Sequence, residues 1–105
     1  MVTRIIDGGD PLGPDVCVFA HFDRHGRIWP HTRHYLDALR RQGFSIVLVS
    51  NAGWLDQDSE AFATRTCAKV LLRRNHGYDF GAFRDGISCL RGHLCSVGRL
   101  ILAND

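Results

Sequence analysis

Four cysteines are present, yet Cys17, Cys67, Cys89 and Cys95 never stand closer than six positions. A CxxC pair, a zinc finger and a dithiol redox motif are thereby excluded. The cysteines read as small buried apolar residues of a reducing compartment. Long hydrophobic runs are also missing: none approaches the roughly 20 residues of a membrane span. The N-terminus carries Arg4, Asp7 and Asp10 among glycine and proline and lacks the apolar region of a secretory signal. The expectation is a cytoplasmic protein without a transmembrane segment. Charge of one sign is scarce as well. A net charge of +2, a pI near 8.5 and the lack of basic runs alternating with aromatics argue against nucleic acid as a partner. A local anionic ligand stays open.

What is there suits one small globular domain: 105 residues, 45% of them hydrophobic. Residues 1–15 end in Gly-Gly-Asp-Pro-Leu-Gly-Pro-Asp, a cluster of turn formers, and read as a leader loop. The domain is expected to span 16–105. Val16 to His21 is an apolar run of strand length, of the kind a parallel sheet covers on both faces. Pro30 suits a first helical position, Tyr35, Leu36 and Leu39 recur at helical spacing, and Gly43 offers a stop. Ser45 to Ser50 reads as a second buried strand, and Asp56 or Asp58 as the cap of a short helix carrying Ala61 and Phe62. Ala68 to Arg73 reads as a third strand. Phe80, Phe83, Ile87 and Leu90 share one face of a further helix. Arg99 to Ala103 reads as a fourth, buried strand after which the domain breaks off, as if truncated at its C-terminus. Alternating strands and helices predict an α/β fold: a parallel sheet of about four strands with helices on both faces.

In such sheets ligands lie beyond the carboxyl ends of the strands. His21, Phe22 and Asp23 follow the first strand, Ser50, Asn51 and Gly53 the second, Asn75, Gly77, Tyr78 and Asp79 the third, and Asn104 and Asp105 the fourth. The third loop is the most informative. A glycine-loosened turn opening a helix exposes N–H groups that suit a phosphate, while Asp79 alternatively caps that helix and Gly77 supplies a turn. Gly81 and Gly86 inside a helix each cost about 1 kcal/mol against alanine, which close approach of a ligand or a neighbouring strand explains. Phe22 suits ring stacking, and Asp23 suits either a ribose contact or the plain turn Asp23-Arg24-His25-Gly26. His31 and His34 stand three apart without a further ligand and read as exposed, so zinc is not supported.

The segment Asn75-His-Gly-Tyr-Asp-Phe-Gly-Ala-Phe-Arg-Asp-Gly86, with Ala20 to Asp23, Val49 to Asn51 and Leu102 to Asp105, resembles the rhamnan synthesis protein F family of bacterial polysaccharide assembly. The resemblance implies the Rossmann-like, nucleotide-sugar-binding half of a GT-A type glycosyltransferase that uses dTDP-L-rhamnose and a polysaccharide or lipid-linked acceptor, at work in the cytoplasm or at the inner face of the membrane. It places Asp23 near the nucleoside, Asn75 to Asp79 near the diphosphate or sugar, and Asp105 in a motif that holds Mg²⁺ or Mn²⁺. The implied donor-binding set is His21, Phe22, Asp23, Asn51, Asn75, Gly77, Tyr78, Asp79, Gly81 and Arg84. Two other readings compete. One is a non-catalytic α/β remnant or interaction domain. The other is a haloacid dehalogenase-like phosphatase with Asp23 as nucleophile, although His25 stands where that family has its general acid.

Overall fold

The computed structural model describes residues 2–74 and 78–105. Its five strands are β1 (Val2–Asp7), β2 (Asp15–His21), β3 (Ser45–Ser50), β4 (Lys69–Arg73) and β5 (Arg99–Asn104), in the spatial order β1-β4-β3-β2-β5. β2, β3, β4 and β5 run parallel, whereas β1 pairs antiparallel with β4, from Val2 opposite Arg73 to Asp7 opposite Lys69. The sheet is therefore mixed, and the expectation of an all-parallel sheet of about four strands is corrected. So is the leader loop, because Val2–Asp7 is an edge strand. The Gly/Pro cluster that suggested a loop starts only at Gly8. Before it, Val2, Thr3, Ile5 and Ile6 are β-branched and suit a pleated edge.

Three helices connect the parallel strands: α1 (Pro30–Arg41), α2 (Gln57–Thr66) and α3 (Tyr78–Cys89). Strand period two divides the core. Cys17, Phe19, Ile46, Leu48, Val70 and Leu72 meet Leu36 of α1 and Phe62 and Ala63 of α2 on one face. Val16, Val18, Ala20, Val47, Val49 and Leu71 meet Ala82 and Leu90 on the other. β2 and β3 are buried along almost their whole length, as their continuous apolar runs require. α1 begins at Pro30 and ends with Arg40 and Arg41 in its last turn, where cations suit the helix dipole. Asp56 caps α2 by accepting the Ser59 N–H at 2.8 Å, while Asp58 instead pairs with Arg33 at 2.7 Å.

Three packing expectations change. Phe80 is 89% exposed, because the stripe that meets the sheet runs through Ala82 and Gly86 of α3 to Leu90 just beyond it, and Phe80 lies off it. β5 is an edge strand rather than a buried one, with Leu100 and Leu102 exposed. Cys17 and Cys67 are buried as expected, but Cys89 is half-buried and Cys95 exposed. Close approach, by backbone at one and by a valine side chain at the other, fixes two glycines. A Cβ on Gly8 would stand 1.8 Å from the Cys67 carbonyl oxygen, and one on Gly86 only 2.3 Å from Val18 Cγ1. Gly86 thus lets α3 settle onto β2 and β3, which assigns it to strand approach and not to a ligand. Among the described residues no helix is long and apolar enough to cross a membrane.

Candidate functional site

Because β2, β3, β4 and β5 share one direction, their carboxyl ends line one rim. The rim has a buried layer. His21, at the end of β2, faces Ser50 Oγ through Nδ1 at 2.8 Å and the Arg27 carbonyl through Nε2 at 2.9 Å. A carbonyl can only accept, so Nε2 carries a proton. His21 therefore ties β2 to β3 and to the loop before α1, and its burial withholds it from a ligand. Asn51 donates its backbone N–H to the His21 carbonyl at 2.7 Å, and its side-chain oxygen accepts from Arg73 Nη1 at 2.5 Å.

Arg73 is fully buried at the end of β4, and its Nε donates to Asp85 Oδ2 at 2.8 Å. Asn51, Arg73 and Asp85 thus brace the ends of β3 and β4 against α3. Sequence reasoning missed Arg73 and Asp85. The available signal was a charged residue closing the apolar run Val70-Leu71-Leu72, since a guanidinium at such a position needs a carboxylate partner.

The outer layer carries the remaining candidates. Asp23 Oδ2 accepts the backbone N–H groups of His25 at 2.9 Å and Arg27 at 3.0 Å, and Oδ1 accepts Trp29 Nε1 at 2.8 Å. The Gly26 N–H closes the turn on the Asp23 carbonyl at 3.1 Å. Partial desolvation pushes the Asp23 carboxyl up, but these three donors and nearby His21 outweigh it and hold it below the usual range. Asp23 acts here as the clasp of its loop. It presents exposed Phe22 on one side and Trp29, with the Arg27 guanidinium 4.2 Å from the ring centre, on the other.

Asp79, in the first turn of α3, accepts from Asn104 Nδ2 at 2.5 Å, so the start of α3 touches the end of β5. Asp105 Oδ2 accepts from Thr32 Oγ1 of α1 at 3.2 Å. Asp23, Asp79 and Asp105 therefore border one edge of the sheet. Neighbours in a strand point to opposite faces, so Asn104 turns to α3 and Asp105 to α1. Gly81 is buried, and Arg84 is exposed with its Nε 3.5 Å from Asp85 Oδ1. Asn75, Gly77 and the side chain of Tyr78 lie outside the described residues.

Phe22, Trp29, Trp54 and Phe80 are four exposed aromatic rings in segments that follow β2, β3 and β4. Only Phe22 was anticipated from the sequence. Among the described residues no group of three His, Cys, Asp or Glu side chains could hold a common metal ion. A cleft of about 680 Å³ opens at the other end of the sheet, between Asp10 to Gly13, Asp37 and Arg40 of α1, and Phe44 and Ser45. Asp10 and Arg40 occupy each other there at 3.4 Å, and the converging polar groups and exposed rings stand at the rim.

No family model and no solved structure matches the chain. Over 103 residues it is 30% identical to the uncharacterized protein y4gN of Sinorhizobium fredii (strain NBRC 101917 / NGR234). The match takes in 98% of this chain and 26% of that protein, so the chain spans about a quarter of the curated relative's length.

Proposed function

We propose that the chain is the donor-binding part of a nucleotide-sugar-dependent glycosyltransferase. The family likeness makes dTDP-L-rhamnose the donor and a polysaccharide or lipid-linked saccharide the acceptor, with the work done in the cytoplasm or at the inner face of the membrane. One observation carries this reading: the ends of four parallel strands converge on a rim that offers exposed rings, hydrogen-bonding carboxylates and the start of α3 together. A nucleotide sugar asks for this combination, a flat face for its base or sugar and polar groups for hydroxyls and phosphate.

Phe22 or Trp29 stacks on the base, held by the Asp23 clasp. The first N–H groups of α3 face the diphosphate, and Asp79 positions the Asn104 amide beside it. Asp105 offers the hard oxygen that Mg²⁺ or Mn²⁺ takes, in the manner of sites completed by substrate phosphates. When bound, such a cation stabilises the departing diphosphate. The phosphatase reading loses ground, because Asp23 already receives three protein donors.

Titration calorimetry with dTDP-L-rhamnose, with and without Mn²⁺, tests the proposal. Binding is expected, weakened by Phe22→Ala and by Asp79→Ala, while circular dichroism shows both variants folded. No binding by the wild-type chain, or affinity indifferent to both substitutions, rejects the assignment.

A further inference from the structure

Three guanidinium groups near the rim are spent inside the chain. Arg73 is buried against Asp85 and Asn51. Arg33 donates to the Ile28 carbonyl, to Ser59 and to Asp58. Arg84 stands beside Asp85. Arg27 is different, because its side chain is exposed and, among the described residues, no carbonyl, hydroxyl or carboxylate accepts from its guanidinium. The carboxylates of its own neighbourhood are already engaged. Asp23 gives its two oxygens to three donors of the loop, and Asp56, which lies within electrostatic reach of Arg27, accepts the Ser59 N–H as the cap of α2.

The side chain is nonetheless held. Its Cζ lies 4.2 Å from the centre of the Trp29 ring, an attraction of cation and π-face, and Trp29 is itself fixed by its Nε1–H bond to Asp23 at 2.8 Å. The loop beneath is secured by backbone atoms of Arg27: its N–H donates to Asp23, and its carbonyl accepts from His21. Gly26, with φ +66°, adds a second support. A Cβ there would stand 3.0 Å from Cδ2 and Cε3 of Trp54, and the Gly26 carbonyl accepts the Asp56 N–H at 2.8 Å, so the loops after β2 and β3 are joined directly beside Arg27. A guanidinium lying on a ring keeps its N–H donors in its own plane, free to grip two oxygens of one anion. Because the group is already ordered, little freedom is lost when it does so.

We propose that Arg27 binds a phosphoryl group of the nucleotide-sugar donor and that Trp29 positions it for this. The inference rests on the glycosyltransferase reading and deepens it. Asp23, Asp79 and Asp105 border the same edge of the sheet, so a diphosphate arriving there meets like charge, which an unpaired cation offsets. Arg27 supplies that cation from the β2 side of the rim, and the first N–H groups of α3 supply neutral donors.

Titration calorimetry of the 105-residue chain with thymidine, dTDP and inorganic pyrophosphate tests the assignment. The wild-type chain is expected to bind dTDP about tenfold or more tighter than thymidine, and pyrophosphate is expected to compete with dTDP. Arg27→Gln keeps the backbone bonds of the loop and is expected to remain folded by circular dichroism. It should lose dTDP affinity by about tenfold or more while thymidine binds as before. Equal dTDP affinity in wild type and Arg27→Gln overturns the proposal and leaves the glycosyltransferase reading standing. Pyrophosphate bound by the wild type and lost in Arg27→Gln, with no binding of dTDP, supports Arg27 as a phosphate site and overturns the glycosyltransferase reading. Binding of neither dTDP nor pyrophosphate overturns both.

Discussion

Replacing Gly86 by alanine pits two known effects against each other. Alanine in a helix interior is favoured over glycine by about 1 kcal/mol. At this position its Cβ would stand 2.3 Å from Val18 Cγ1 and 3.2 Å from Val49 Cγ2, against the ~3.5–4.0 Å of ordinary carbon contact. Val18 cannot swing aside easily, since it is fully buried and β-branched, so its χ1 is stiff. The clash therefore lifts α3 away from β2. Overpacking of this kind costs about 1–3 kcal/mol, and the close overlap puts Gly86→Ala near the top of that range. Subtracting the helix gain leaves a net loss of about 2 kcal/mol. For a domain of this size that lowers Tm by about 8–16 °C. Thermal unfolding followed by circular dichroism measures the shift, and urea denaturation the free-energy loss. Adding Val18→Ala makes room for the new methyl, so the double variant is expected to be more stable than the sum of the single effects predicts. An unchanged or raised Tm in Gly86→Ala, or strict additivity in the double variant, would refute the close-approach account.

Asp85→Asn leaves the buried Arg73 guanidinium without its carboxylate. Because Arg73 keeps Asn51 and Asp85 is partly solvated, a loss of about 2–4 kcal/mol is expected by urea unfolding, and a loss of a few tenths would show the pair to be incidental. Asp56→Ala removes the cap of α2 and is expected to cost about 1 kcal/mol in the same assay. Acid sensitivity follows from Asp23 and Asp56. The donors described above hold Asp23 low, and the backbone and hydroxyl hydrogen bonds of Ser59 hold Asp56 below the usual carboxylate value of 3.8. Their contribution is complete above that unfolded value and disappears as pH falls through the lower folded values. The melting temperature should thus fall as pH drops below about 4, with a shallower fall in Asp23→Asn. Burial pushes Cys17 and Cys67 up to about 12 and raises Cys89, while Cys95 is exposed. A thiol reagent at mildly alkaline pH is expected to modify Cys95 fast and all four cysteines only after unfolding. Rapid labelling of two or more in the native state contradicts this packing.

Local pattern sufficed for the elements whose signal lies in their own residues. The apolar runs Val16 to His21 and Ser45 to Ser50 read as strands because both faces are covered. Pro30 and Asp56 marked helix starts because cap chemistry is confined to a few neighbouring positions. That the carboxyl ends of β2, β3, β4 and β5 lie on one side was equally legible, since parallel strands joined by crossovers must put them there.

Tertiary structure alone decided what pairs across distance. No local signal tells Val2–Asp7 to run antiparallel along β4, some 70 residues away in sequence, where Val2 meets Arg73. Nor does one tell that Leu100 and Leu102 face outward, because exposure of an edge depends on where α3 comes to rest. The roles of the site residues divide in the same way. That Asp23 is a clasp, that His21 is buried behind it, and that Asn51, Arg73 and Asp85 form one brace are facts of hydrogen-bond geometry between segments. Residue type gives the capacity to bond, and only the packed chain determines which capacity is already spent within the protein and which is left for a ligand.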